Sequence, residues 1–144
     1  MSEPSIRSFT ASDGYRIHFR HWKSETPRGI VVALHGIQSH SGWYEASSRA
    51  MADAGFDVYF ADRRGSGLNG LNRGHAAHGL RLINDVRALA TLARHEQRTA
   101  ANVGSSLPLI ITGISWGGKI AAAAAATFPD EFNGLALLLI KSKC

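Results

Sequence analysis

The sequence predicts an α/β protein in which helices cover both faces of a mostly parallel sheet. Short apolar runs, which are typical of strands, alternate with segments of helical periodicity along the 144 residues. One run, Ile30–Leu34, is apolar throughout, as is usual for a strand buried on both faces of a parallel sheet. Because crossovers between parallel strands are right-handed, this alternation predicts helices on both sides of the sheet.

Each predicted element follows from a local residue pattern. The turn-forming triplet at 12–14 separates two strand-like segments and predicts a hairpin. Apolar residues recur every three or four positions between 80 and 93, which predicts an amphipathic helix with one buried stripe. The alanine run 121–126 favours a helix that packs close to the sheet. The predicted strands are Ser5–Thr10, Tyr15–Trp22, Ile30–Leu34, Phe56–Ala61, Pro108–Gly113 and a buried Phe132–Ile140, and the predicted helices are Trp43–Ala54, Ala77–Arg98 and Gly117–Phe128.

Composition narrows the class of protein. At 144 residues, with 44% of them hydrophobic, the chain can form one globular domain at most. No apolar run is long enough for a membrane span, and Met1–Thr10 is polar where a secretory signal would be apolar. The only cysteine is Cys144, so we expect no intrachain disulfide and a cytoplasmic protein.

The basic charge does not predict a nucleic-acid partner. The formal net charge is +5 and the pI is about 9.9. Basic and acidic residues are nevertheless interleaved, and the densest basic set falls on the predicted helix Ala77–Arg98 beside Asp85 and Glu96. This pattern is typical of a solvated helix face.

A serine flanked by glycines is the first candidate for chemistry. The segment Gly113-Ile114-Ser115-Trp116-Gly117 joins a predicted strand to a predicted helix. A serine hydroxyl is a weak nucleophile, and hydrolases place it on such a tight turn, next to backbone N–H donors. The alternative is an ordinary serine that caps the helix.

Three motifs occur in the order found in α/β-hydrolases: the segment His35–Tyr44, the loop Asp62–Gly67 and the segment Gly113–Gly118. The chain is most similar to the branch of monoacylglycerol lipases, lysophospholipases and serine aminopeptidase-like hydrolases, from the first hairpin to about Leu139. The resemblance implies a three-layer α/β-hydrolase sandwich that stops after about the sixth strand. Residues 1–144 are then the N-terminal part of a single domain, without its cap and C-terminal core.

The resemblance also implies roles for individual residues. Ser115 is the expected nucleophile, and the backbone N–H groups of Trp116 and Ile37 are the expected oxyanion hole. Two interpretations are open for His40 and Tyr44, namely lining the substrate pocket or packing the loop. Four residues are expected to order the loops around the serine: His35, Gly36, Gly113 and Gly117.

The chain lacks candidates for the other two members of a catalytic triad. In this fold the order is serine, then acid, then histidine. All seven histidines precede Ser115, and the only acids after it are Asp130 and Glu131, which open the segment before the last strand. We therefore expect a truncated chain with a nucleophile and an oxyanion hole, but no triad acid or histidine, and with little activity on its own.

The leading functional hypothesis is a hydrolase of monoacylglycerol-like or lysophospholipid-like esters that forms an acyl-serine. No cofactor or metal is expected, since His75 and His78 have no nearby carboxylate or cysteine to complete a metal site. One alternative is a non-catalytic interaction protein, or a half-domain completed in trans through its exposed sheet edge. The other is a parent aminopeptidase or thioesterase.

Overall fold

The computed structural model describes residues 3–101 and 106–139, which form a six-stranded sheet with three α-helices. Part of the polar stretch before the fifth strand, Ile140 at the end of the last predicted strand, and the tail that includes Cys144 lie outside the described residues. The strands are β1 Ser5–Thr10, β2 Arg16–Trp22, β3 Gly29–Leu34, β4 Phe56–Ala61, β5 Leu109–Ile114 and β6 Gly134–Leu138, and the helices are α1 Glu45–Asp53, α2 Gly79–Ala101 and α3 Trp116–Thr127.

The sheet is mostly parallel, as predicted. Its order is β1-β2-β4-β3-β5-β6, and only the β1–β2 and β2–β4 pairs are antiparallel. In the parallel part, Leu34 at the end of β3 lies opposite Ala61 of β4 and Gly113 of β5. The loops that follow these three strands therefore leave the sheet at the same side, beyond the carboxyl ends of the strands, which is where open parallel sheets bind their ligands.

Helices cover both faces of the sheet, which confirms the three-layer arrangement. Alternate residues of β3 point to opposite faces. Val32 belongs to a core cluster that includes Leu89 of α2 and Ile120 of α3. Val31 belongs to a second cluster that includes Ala52 of α1. A strand buried on both faces explains why Ile30–Leu34 is apolar without alternation.

The helix predicted over Trp43–Ala54 is divided. A 3-10 turn occupies Ser41–Tyr44, and α1 covers only Glu45–Asp53. Ser41 at the head of the turn is buried and bonded to a side chain from a distant loop. Such a tertiary contact is invisible to local periodicity. The predicted end at Gly55 is confirmed, because this glycine has φ +96°, a conformation that glycine adopts without strain.

The prediction of a buried last strand is wrong for the strand that the structure describes. β6 is confined to Gly134–Leu138, and Leu135, Leu137 and Leu138 are 43%, 50% and 54% exposed. Within the described residues β6 pairs only with β5, at one edge of the sheet. An apolar strand sequence does not indicate whether a neighbour covers it.

Two leucines of α2 provide a test of the packing. Leu89 is fully buried, whereas Leu80 is 52% exposed. We expect Leu89→Ala to lower the free energy of unfolding by about 2–5 kcal/mol, because it leaves a cavity in the core. Leu80→Ala is the matched control and should change it by less than about 0.5 kcal/mol. Urea denaturation followed by circular dichroism measures both, and equal effects would contradict the described packing of α2.

Candidate active site

Ser115 lies on the turn between β5 and α3 in a strained backbone conformation. Its φ is 55° and its ψ is −118°, a combination that residues with a Cβ rarely adopt. The side chain is exposed and makes no capping hydrogen bond to α3. The alternative of an ordinary capping serine is therefore not supported. Strain of this kind persists only where the surrounding structure imposes it, and it is frequent at functional sites.

Glycines on both sides of Ser115 make this turn possible. A Cβ on Gly113 would lie 2.3 Å from the carbonyl oxygen of Gly117, inside the same turn. A Cβ on Gly117 would lie 2.5 Å from the carbonyl oxygen of His35. The serine turn therefore packs directly against the loop after β3. Gly36 of that loop also lies beside the serine, since a Cβ built on it would be in van der Waals contact with the Cβ of Ser115, at 3.6 Å.

His35 connects the loops that follow β3 and β4. Its ring is 1% exposed, and Nε2 accepts a hydrogen bond of 2.9 Å from the backbone N–H of Arg63. The proton must then be on Nδ1, which donates to the carbonyl oxygen of Gly36 at 2.8 Å. Burial lowers the pKa of His35 and so favours this neutral form. These contacts are those of a loop-ordering residue and not of a base beside the serine.

The buried carboxylate of Asp62 holds the neighbouring loops together. One oxygen accepts hydrogen bonds from the backbone N–H and the hydroxyl of Ser41, at 2.7 and 2.6 Å. The other accepts from the backbone N–H of Leu68 at 2.9 Å, and the guanidinium of Arg20 lies 3.7 Å away. Gly67 is packed so tightly that a Cβ would lie 2.2 Å from the carboxylate. The segments 35–44 and 62–74 are therefore fixed to each other.

Arg64 anchors the same loop to the rest of the domain. Its guanidinium forms paired hydrogen bonds with Asp85 of α2, the shortest 2.7 Å, and with Asp13 of the first hairpin, the shortest 2.8 Å. The hydrogen bonds from Arg64 lower the pKa of Asp13 to about 2. The ring of Tyr15 lies 4.6 Å below the guanidinium. The charge of Arg64 is thus fully compensated.

An open groove of about 1150 Å³ lies between these loops. Ile37 and Trp116, the expected oxyanion-hole residues, both line it, and so does His40. Tyr44 is not among the lining residues. Its ring stacks on Phe60 at 5.1 Å between centroids, which favours loop packing over the substrate pocket for this residue. The roles expected for the other site residues stay predictions.

Sequence reasoning missed Arg63 as a groove residue. Its guanidinium lies 4.5 Å from the ring centroid of Trp116, and both residues line the groove. In the sequence Arg63 and Arg64 are adjacent and look equivalent. Only the fold separates them, because Arg64 contacts the carboxylates of Asp85 and Asp13 while Arg63 lies beside the serine turn.

A comparison with models of known protein families is consistent with the geometry of the serine turn. Residues 25–138 match the model of a family described as serine aminopeptidase, S33. The chain belongs to this family.

Relatives of this S33 family member include lipases and esterases. It is 35% identical over 137 residues to a monoacylglycerol lipase of Mycolicibacterium smegmatis, covering 94% of this chain and 46% of that protein. It is 27% identical over 128 residues to human monoglyceride lipase, covering 88% and 40%. Among solved structures, a thermostable carboxyl esterase from Bacillus coagulans superposes with a TM-score of 0.80 at 25% identity, covering 95% of this chain and 44% of that one. The chain thus spans less than half the length of these proteins.

The described residues do not bring a base to Ser115. None of the described histidines makes a hydrogen bond to its hydroxyl; His18, for example, contacts Asn69, and His21 stacks on Tyr59. Glu131, one of the two acids after the serine, pairs with Arg87 of α2.

Among the described residues we find no helix that could serve as a membrane-spanning segment.

The crowding at Gly117 is open to a direct test. We expect Gly117→Ala to destabilise the fold by several kcal/mol or to prevent soluble expression, because backbone carbonyl oxygens at 2.5 and 2.6 Å leave no room for a methyl group. Gly70→Ala is the matched control, since nothing lies within 4 Å of a Cβ there. Soluble yield and thermal unfolding measure the difference, and a stable Gly117→Ala protein would contradict the described contact between the two loops.

Proposed function

We propose that this chain carries the nucleophile and the oxyanion hole of a hydrolase that cleaves carboxylic esters, with Ser115 as the nucleophile. The observation that carries the proposal is the strained, exposed conformation of Ser115 at a strand-to-helix turn packed against the loop after β3. A carboxylic ester of the monoacylglycerol or lysophospholipid type is favoured over the aminopeptidase or thioesterase alternative because relatives are named as lipases or esterases.

In this mechanism the Ser115 hydroxyl attacks the ester carbonyl carbon. Its proton passes to a base, and the carbonyl oxygen takes up the negative charge of the tetrahedral intermediate. The N–H of Trp116, the first residue of α3, has no acceptor within the helix and is available to that oxygen. The N–H of Ile37, on the adjoining loop, is the second proposed donor. As the intermediate collapses, the base returns the proton to the leaving oxygen and the alcohol departs, and water then hydrolyses the acyl-serine to the carboxylic acid and free Ser115.

The base and the acid are the parts of the machinery that we do not assign to these 144 residues. We infer that the chain by itself acylates slowly, several orders of magnitude below a complete triad. The cytoplasmic location expected from the sequence stays a prediction, as does the absence of a cofactor or metal.

The nucleophilicity of Ser115 can be measured without turnover, because a fluorophosphonate forms a P–O bond to a reactive serine and releases fluoride. We expect a neutral alkyl fluorophosphonate to form one slow covalent adduct at Ser115, detected by mass spectrometry of the intact chain and its peptides. Added imidazole should accelerate the adduct by acting as the base that the site lacks. Ser115→Ala should abolish it, whereas Ser47→Ala, an exposed serine of α1, should not. No adduct at Ser115 even with imidazole would refute the proposed nucleophile.

A second candidate function follows from the exposed edge of the sheet. Along β6 the leucines at 135, 137 and 138 are 43–54% exposed, and within the described residues only β5 pairs with this strand. An apolar strand with a free edge is a template for pairing with another chain. We infer that the isolated chain associates through β6, either with a second copy or with a segment that completes the sheet in trans.

A charged residue on β6 tests this association. Leu138→Lys should shift the isolated chain towards the monomer in size-exclusion chromatography with light scattering, because lysine on an edge strand opposes edge-to-edge pairing. Leu71→Lys is the control, since Leu71 is a comparably exposed leucine in a loop. Monomeric wild-type protein, or equal association of both variants, would argue against β6 as the contact.

A further inference from the structure

Arg63 differs from the other buried or half-buried arginines of the groove. Arg20 lies beside Asp62, and Arg64 is paired with two aspartates. Among the described residues Arg63 has no carboxylate partner. Its Nη1 is buried without a hydrogen-bond partner, and the contact from Nη2 to the hydroxyl of Ser66 is long, at 3.4 Å.

This arrangement is costly for the free protein. Burial lowers the pKa of Arg63, yet a guanidinium keeps its proton in proteins and so remains a charge with too few partners. The face of the Trp116 ring offsets part of the cost through a cation–π contact and holds the group in place. An unsatisfied buried donor in a native structure calls for an explanation, and an ordered water or a bound anion can supply the acceptor.

The surroundings of Arg63 also favour an anion. Arg73, His75 and His78 line the same groove. Asp62 is the only carboxylate among its described lining residues, and it is already used by Ser41, Leu68 and Arg20. Among the described residues the guanidiniums of Arg63 and Arg73 have no carboxylate partner, and that of Arg63 lies next to Trp116, at the proposed oxyanion hole.

We propose that Arg63 is a specificity-determining residue of this groove and binds a phosphate group carried by the substrate, so that phosphorylated glycerol esters are favoured over neutral ones. A phosphate fits because the planar guanidinium matches its oxygens and the additional basic side chains match its double charge. This inference rests on the proposed ester hydrolase and selects the phosphate-bearing class from the two ester classes, monoacylglycerol-like and lysophospholipid-like, of the leading hypothesis.

The test is a binding titration of the 144-residue chain at constant ionic strength. The probes are sn-glycerol 3-phosphate, glycerol and inorganic phosphate, followed by shifts of backbone amide signals in ¹⁵N NMR spectra. The variants are Arg63→Met and Arg63→Lys. Arg28→Met is the matched control, since Arg28 also lies over an aromatic ring, that of Phe56 at 4.9 Å, but precedes β3 at the opposite end of the strand.

Glycerol 3-phosphate should shift the amides of Arg63 and Trp116, and glycerol should not. Arg63→Met should weaken its binding about tenfold or more, as expected for the loss of a charge-assisted hydrogen bond, and Arg63→Lys at least about threefold, because lysine lacks the planar fork. Arg28→Met should bind like the wild type.

Wild-type affinity in either Arg63 variant would overturn the proposal, and Arg63→Lys decides the matter if Arg63→Met does not fold. Inorganic phosphate that binds at least as tightly as glycerol 3-phosphate would also overturn it, since the site would then serve the free ion. The neutral fluorophosphonate carries no phosphate charge, so labelling of Ser115 in the wild-type chain tests the nucleophile separately from the phosphate site. Such labelling would show that a failure concerns the phosphate site and not the proposed nucleophile.

Discussion

The arrangement of the groove depends on one buried charge, the carboxylate of Asp62. A carboxylate without solvent is strongly unfavourable unless hydrogen bonds and a counter-charge compensate it. Here the compensation comes from three separate parts of the chain: the 3-10 turn after β3, the loop after β4, and Arg20 on β2. Each can satisfy Asp62 only in its observed position. Any other arrangement of these loops would leave the buried carboxylate without compensation and would therefore be unfavourable.

Ser115 is likewise held in an unfavourable state by its surroundings, in this case an unfavourable backbone conformation. Its conformation is unfavourable by itself, and the turn persists because the neighbouring backbone is fixed. Gly117 closes the turn against the carbonyl of His35, and His35 is bonded to the loop that begins at Asp62. The serine turn and the carboxylate network are consequently one continuous structure, although their residues are far apart in the sequence.

Local patterns in the sequence were sufficient for most of the fold. The strand Phe56–Ala61 was predicted to the residue, because an apolar run bounded by a glycine and a polar loop has clear ends. The family resemblance identified the motifs that meet beyond the carboxyl ends of the parallel strands. The 3-10 turn, the exposure of β6 and the position of Tyr44 were not predictable, since each depends on a tertiary partner. The different surroundings of Arg63 and Arg64 belong to the same class, because neighbouring identical residues carry no signal of which one finds a counter-ion.

The hydrogen bond from the backbone N–H of Ser115 to the carbonyl oxygen of Leu138 connects the edge strand β6 directly to the serine turn. This bond of 2.8 Å joins the last residue of the strand to the strained residue of the turn. Binding energies that share a structural element are linked, and the linkage is reciprocal. A segment that pairs with β6 and steadies Leu138 would also steady the serine, and a ligand that orders the serine would strengthen pairing at the edge. Assembly and reactivity would then be two readouts of a single equilibrium.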